Sequence, residues 1–369
     1  MQRLSLTRLL PAVLAILGAS LLAVALFAPF VVRSYRRRGE LGLGQAVLAF
    51  GFLLYALALL AYTLFPIPQI DAAWCAAHAT HPQLIPLESL TDVARLQRGT
   101  GVGATLANPA VQQLLFNVAL FLPLGAFLRH YTRRSAPVVI LAGFGVSLFI
   151  ECTQLTGNWF LFACPYRLFD VDDLITNTSG AALGVLAAPL LRLFDRSSEI
   201  PAGDPRPVTT FRRFQGMLVD LLSVVVLGGL LAGSTNVIAH FAFQVWLNDS
   251  PGGRLALTVL STWLPAVLLL AVPALRPSGA TFGQQAVRLR RTGPDGGHPG
   301  LRILPALLGG TFGYYLFTGL EQYWPGLSFL PGLLAFAAVV LAWRPRSHRG
   351  FSGLISGLRV VDAREPITR

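Results

Sequence analysis

The sequence predicts an all-α fold: a polytopic membrane helical bundle of about nine transmembrane helices, five plus four. Three observations carry this reading. Of 369 residues, 54% are hydrophobic and only 12% charged, and mean hydropathy is +0.60; a globular domain carries about a quarter charged residues. The apolar residues come in runs approaching the roughly 20 that cross a bilayer. The basic residues gather between those runs, in every second connection.

In chain order, the runs predict spans near 9–32, 45–65, 111–128, 136–155, 173–194, 216–233, 256–275, 303–319 and 327–343. The first follows Arg3 and Arg8 and resembles a signal peptide. It is longer than a signal's apolar core, and RSYRRR follows directly, so a retained helix is expected. Residues 195–212, DRSSEIPAGDPRPVTTFR, are polar and proline-rich, as a linker between domains should be. The expected division is therefore 1–205 and 206–369.

The net charge of +12 comes from 29 basic residues, all of them arginine. Arg33, Arg36, Arg37 and Arg38 follow the first span, and Arg129, Arg133 and Arg134 separate the third and fourth. Arg192, Arg196, Arg206, Arg212 and Arg213 lie between the fifth and sixth, and Arg276, Arg288, Arg290, Arg291 and Arg302 between the seventh and eighth. This alternation is the positive-inside pattern. It predicts a multi-pass protein of the cell membrane, with the N-terminus outside and the C-terminus in the cytoplasm. Nucleic acid is not an expected partner, because no basic patch interleaves with exposed aromatics.

One stretch breaks the apolar pattern. SLFIECTQLTGNWFLFACPYRLFDVDDLITNTSG, residues 147–180, begins and ends as membrane helix, yet carries Glu151, Arg167, Asp170, Asp172 and Asp173. The topology places these residues at the outer interface, together with Asn117 and the 66–110 loop. Ser147, Glu151 and Gln154 share one helix face, and Asp173, Asn177, Gly180 and Gly184 share another. Gly143 extends the small-residue face of span four. The glycines permit close helix approach, so these two faces are expected to meet, with Asn117 as a third wall.

A structural role competes with a functional one. Asp172 or Asp173 could cap the fifth span, and Arg167 could pair with Asp170 as an ordinary loop charge. Glu151 resists such a reading, because a carboxylate in a membrane helix is costly unless it is wet, paired or protonated.

NVALFLPLG (117–125), ECTQ (151–154) and RLFDVDDLITNTSGAALG (167–184) closely resemble the motifs of the VanZ-like family, and LYALALLAYTLFP and LIPLESL resemble its first helix and following loop. The resemblance covers roughly residues 45 to 195. It implies a link with low-level tolerance to the glycopeptide teicoplanin, and polar family positions at Asn117, Glu151, Gln154, Arg167, Asp170, Asp172, Asp173 and Asn177.

The second half resembles the RDD family of small membrane domains. The resemblance rests on RFQGMLVD with Arg213 and Asp220, on GATFGQQAVRLRR (279–291) and on HRGFSGLISGLRVVD (348–362). The family's second aspartate is absent, with Gly353 at the aligned position, which weakens the ion transport proposed for some members. Arg213 and Asp220 lie seven apart, close to one helix face. Their plain reading is an interfacial anchor and an aspartate snorkelling or pairing at the cytoplasmic edge. Thr281 to Arg291 alternates enough to read as a short strand pair or irregular hairpin. Its arginines could lie against anionic lipid heads.

Cys75 and Cys164 are both expected outside, where a disulfide is permitted, and Cys152 lies beside Glu151. His78 and His81 sit near Cys75, but ligand spacing for zinc is absent and no metal site is expected. Phosphate loops, serine elbows and HExxH are also absent, so lipid-modifying chemistry by the carboxylates is left open. No cofactor is expected, although hard oxygen donors in the cluster could hold a divalent cation.

The leading expectation is a protein acting at the outer face of the cytoplasmic membrane on a cell-envelope lipid or amphiphile. Its partners would be membrane lipids and a lipid-linked cell-wall precursor or lipoglycopeptide. The alternatives are an ion or small-solute transporter, which would favour inverted repeats and polar residues at mid-depth, and a membrane scaffold or sensor.

Overall fold

The computed structural model describes residues 2–64, 72–77, 82–165, 167–195, 200–343 and 350–366. Among them, seven helices are long and apolar enough to cross a membrane, and a pair bent by 50°, Gly300–Leu308 with Thr311–Leu320, meets the same length and apolarity only when taken as one. The ninth run forms a shorter apolar helix, Pro325–Leu341. The protein is an all-α polytopic membrane bundle with a single two-stranded sheet among the described residues. The chain packs into two compact units: residues 1–21 with 42–196, and residues 22–41 with 197–369.

The first unit is built on α2 (Leu43–Leu64), α5 (Pro109–Thr132), α6 (Ala136–Leu155) and α7 (Val171–Leu191), with the first part of α1 (Gln2–Arg38). The α2–α5 connection carries α3 (Ala72–Ala77) and α4 (Glu88–Leu96). Helix α5 starts where Asn108 accepts the Ala110 N–H and Pro109 takes the first turn, where its missing donor costs nothing. Arg129 and His130 close its last turn, where positive charge suits the helix dipole.

Helix α7 packs against both α5 and α6. A Cβ at Gly180 or Gly184 would collide with the backbone carbonyl of Val118 or Leu122, and one at Gly125 with that of Ala181. The glycines of α7 therefore meet α5, while Asn177 on the same face meets Ser147 of α6, as expected. The smaller contact with α6 includes Gly143 against the Ala181 side chain. Without a hydrophobic driving force in lipid, such backbone approach is what holds helices together. Phe121, Leu124 and Leu59 form an apolar core between α5 and α2.

In the second unit, α8 (Thr210–Phe243) runs beside α9 (Pro251–Ala274), and Gly228 lies on the Ser261 carbonyl. Helix α9 widens into π turns at Val259–Trp263 and Val267–Ala271, each next to a proline, Pro265 and Pro273. Proline lacks the N–H that an α-helical ladder needs, and a wider turn accommodates that loss. Helices α11 (Ile303–Leu308), α12 (Thr311–Leu320), α13 (Phe329–Trp343) and α14 (Gly350–Ser356) follow a short α10 (Phe282–Ala286).

The expected strand pair within 281–291 does not form. Thr281 and Gln284 make a capping box that starts α10. Strand β1 (Leu289–Thr292) instead pairs antiparallel with β2 (Arg359–Asp362), with Leu289 opposite Asp362. The T-x-x-Q spacing of TFGQ is itself a helix-start signal, and it outweighed the weak alternation.

Asp362 is fully buried and ties the second unit together. It accepts from Arg212 at 2.7 Å, from Arg364 at 2.6 Å and from the Arg206 N–H at 3.0 Å. Of the stretch expected as a linker, residues 200–212 are fastened to this unit, whereas Asp195 belongs to the first unit and pairs with His130. Arg206 is buried, pairs with Glu40 and donates to the carbonyls of Arg38 and Ile200.

Candidate functional site

Two connections of the first unit are joined at one end of its bundle. The Gln83 N–H donates to the Phe169 carbonyl at 2.9 Å, and the Val171 N–H to the Gln83 carbonyl at 3.1 Å. A disulfide links Cys75 to Cys164, leaving Cys152 as a free thiol. The loop holding Ile85–Leu90 is thus laid against the start of α7. His78 and His81 lie outside the described residues, and Cys75 is oxidised, so it is no metal ligand.

The start of α7 places three aspartates in three different roles. Asp170 is the N-cap: its Oδ1 accepts the Asp172 N–H at 2.9 Å. Burial pushes the Asp170 carboxyl above the usual range, and the Asp172 N–H counters this, while the charges of Asp172 and Asp92 add to the rise. The Asp172 side chain caps a different helix, because it accepts the Leu87 N–H at 2.5 Å and the Ser89 N–H at 2.7 Å at the start of α4. Capping by Asp172 or Asp173 at α7 itself is therefore replaced by Asp170. Asp173 accepts from Asn117 Nδ2 at 2.6 Å, with the Gln113 side chain close by.

Glu151, in the last turns of α6, is only 2% exposed. Its Oε2 accepts the Asp170 N–H at 3.1 Å. Arg167, Asp170 and Asp173 all lie close enough to act electrostatically on its carboxyl group. One turn earlier on α6, Ser147 Oγ receives Asn177 Nδ2 at 2.9 Å. The Asn177 Oδ1 is buried with no hydrogen-bond partner among the described residues. Such an orphan calls for an explanation, since leaving a buried acceptor unmade is costly.

The fold thus brings Asn117, Glu151, Arg167, Asp170 and Asp173 into one neighbourhood, with Asn177 deeper and beside Ser147. Asp172 is turned to the α4 amides, and Gln154 donates to the Thr63 carbonyl at 3.0 Å, joining α6 to α2. Gln113, Thr63 and the Leu87 and Ser89 amides were not anticipated. Gln113 could have been, because it lies four residues before Asn117 on the same helix face. Among the described residues, no three His, Cys, Asp or Glu side chains are arranged to hold a metal ion.

In the second unit Asp220 is buried and does not snorkel. Its carboxylate accepts from Thr281 Oγ1 and from the Gly283 N–H, both at 2.6 Å, which holds the start of α10 against α8. Arg213 and Asp220 both line one cavity of that unit.

A bundle of apolar helices with a clamped polar cluster at one end defines a multi-pass membrane protein. Residues 52–192 match the VanZ/LLP1 family model, so the first unit contains a region of VanZ type. No curated protein and no solved structure matches the chain.

Proposed function

We propose that the first unit binds the polar head of a cell-envelope amphiphile at the outer face of the cytoplasmic membrane. The observation that carries this reading is Glu151, a buried carboxylate one helix turn from Ser147, whose partner Asn177 has an orphaned, buried Oδ1. Intramembrane carboxylates are costly and are functional candidates by default. The cluster is rich in acceptors, so it suits a head bearing hydroxyl, amide or ammonium donors. Arg167 suits a phosphate or carboxylate on the same molecule. A lipid-linked cell-wall precursor and a lipoglycopeptide each present both kinds of group.

Two further observations support the placement. The Cys75–Cys164 disulfide suits an oxidising compartment, hence the outer side. Trp159, Phe160 and Leu161, in the turn after α6, are exposed; apolar and aromatic side chains at such a point suit the membrane–water interface. This orientation has the N-terminus outside and the C-terminus in the cytoplasm, and reduced teicoplanin sensitivity as its visible consequence. The second half would act as an RDD-type membrane domain.

A structural network is the competing reading, favoured by the hydrogen bonds that Asp172 and Asp173 already make. The test compares the wild type with Glu151→Gln, Arg167→Gln and Asp173→Asn, with thermal stability in detergent measured beside teicoplanin tolerance in cells. Co-purified lipid is identified by mass spectrometry in wild type and Glu151→Gln. Lost tolerance and lost lipid with unchanged melting support binding. Lost folding that a double apolar replacement restores, together with tolerance, leaves the charges structural.

A further inference from the structure

The second unit contains a cavity of about 280 Å³ whose wall is chemically divided. Phe214, Leu218, Leu334, Ala338 and Phe351 represent its largely apolar side. Its charged lining residues are Arg213, Arg291 and Asp220. Two cations face one carboxylate, so the wall holds an excess positive charge.

The carboxylate is already occupied, by Thr281 and the Gly283 amide. Arg291 is 6% exposed, and its Nη1 is buried with no hydrogen-bond partner among the described residues. Asp220 lies close enough to attract it electrostatically, and Arg213 to repel it. Burial lowers the Arg291 guanidinium to about 10, well above neutrality, so it remains charged. Asp220 is a single carboxylate, already shared with two hydrogen-bond donors, and cannot balance two guanidinium groups; a bound anion would offset the remaining buried charge. Arg291 also lines a second cavity, with Arg288, Arg290 and Arg364, so this residue stands between an apolar space and a basic one. That division matches an amphiphile, whose charged head and apolar tail need different walls.

We propose that the second unit binds a phosphate-headed acyl lipid, with the phosphate against Arg291 and Arg213 and the chain along the apolar wall of the cavity. The volume suits the phosphate and the first stretch of one acyl chain. A planar, multi-donor guanidinium suits phosphate oxygens, and two of them on one cavity wall can share one head. An inorganic cation fits poorly, because the net charge of the lining repels it.

The test uses the full chain in detergent, with the shift in thermal melting followed as each probe is titrated. The probes are dioleoyl phosphatidylglycerol, uncharged dioleoylglycerol and inorganic phosphate. Wild type should be stabilised by phosphatidylglycerol and by neither of the other two at equal concentration. Arg291→Gln removes the charge, and Ala338→Phe fills the apolar side while keeping both arginines. Each should raise the half-maximal phosphatidylglycerol concentration about tenfold, as loss of a charge-assisted bond or of a buried chain segment would. Should Arg291→Gln fail to fold, Ala338→Phe decides alone. Unchanged midpoints in the folded variants overturn the proposal. An equal shift with dioleoylglycerol would mean that the arginines do not select the head. An equal shift with inorganic phosphate would mean an anion site with no acyl wall. Either result also overturns it.

Discussion

The carboxylate of Asp172, at the start of α7, accepts the backbone N–H groups of Leu87 and Ser89 at 2.5 and 2.7 Å. An acidic residue that looks like a cap for its own helix caps one that lies more than eighty residues earlier. Replacing it by Ala leaves those amides without acceptors. We expect Asp172→Ala to cost about 1.5–3 kcal/mol, with hydrogen exchange rising first at residues 87–92. Protection unchanged in that segment would show that the clamp lies elsewhere.

The disulfide gives a direct reading of sidedness. In intact cells, alkylation before reduction should modify at most the thiol of Cys152, and reduction should release Cys75 and Cys164 to an impermeant maleimide. Cysteines introduced at 84–106 should label from outside, and those at 130–135 and 276–300 should not. Outside labelling of 130–135 would invert the topology and move the polar cluster to the cytoplasmic face.

Close approach of α5 and α7 makes Gly184 intolerant of size. A Val there must displace the Leu122 carbonyl, and overpacking of this kind costs about 1–3 kcal/mol or more. Gly184→Val should lower the melting temperature in detergent and reduce the protein in membranes, whereas Gly145→Val, at an open position, should not.

Asp362 predicts how the second unit responds to acid. Burial alone would raise its carboxyl, but hydrogen bonds from Arg364, Arg212 and the Arg364 and Arg206 amides hold it well below the usual carboxylate range. A depressed folded value means that its stabilisation is complete above the unfolded value, about 3.9, and is lost as pH falls below it. Asp362→Asn should destabilise by about 3–5 kcal/mol at pH 7, because it strands buried guanidinium groups. The melting difference between wild type and variant should shrink below about pH 4; a constant difference would contradict the ion-pair account.

Residues 22–41 pack with the second unit, where Gln215 accepts from Tyr35 and donates to the Leu41 carbonyl. A chain break between 196 and 200 should therefore leave both parts in the membrane when they are co-expressed. Residues 206–369 expressed without 22–41 should accumulate less, as judged by membrane immunoblot. Equal accumulation would make the second half self-sufficient.

Much of this was legible before any coordinates. Length and hydropathy of the apolar runs report the bilayer itself, so the helices at 43–64, 109–132, 136–155 and 171–191 fall close to their expected places. The concentration of polar residues in 147–180 was equally plain, because a carboxylate among apolar neighbours has no cheap local explanation. Glu151, Arg167, Asp170, Asp173 and Asn117 do gather. The alternation near Thr281 misled because strand partners are not a local property: the partner of β1 is about seventy residues away.

By itself, the sequence determined the membrane class, the order of the helices and which end of the first bundle is polar. Those properties follow from local quantities: apolar length, charge spacing and the 3.6-residue period. Only the tertiary structure decided which partner each polar group takes. It directed Asp172 to the α4 amides, Asn117 to Asp173, Gln154 to the Thr63 carbonyl and Asp362 to Arg212. It also turned the glycines of α7 toward α5, and buried Arg291 at a cavity that is apolar on one side. The reason is that hydrogen bonding is short-ranged and directional, so a partner depends on how helices cross in space, and residues far apart in the chain become neighbours only when they do.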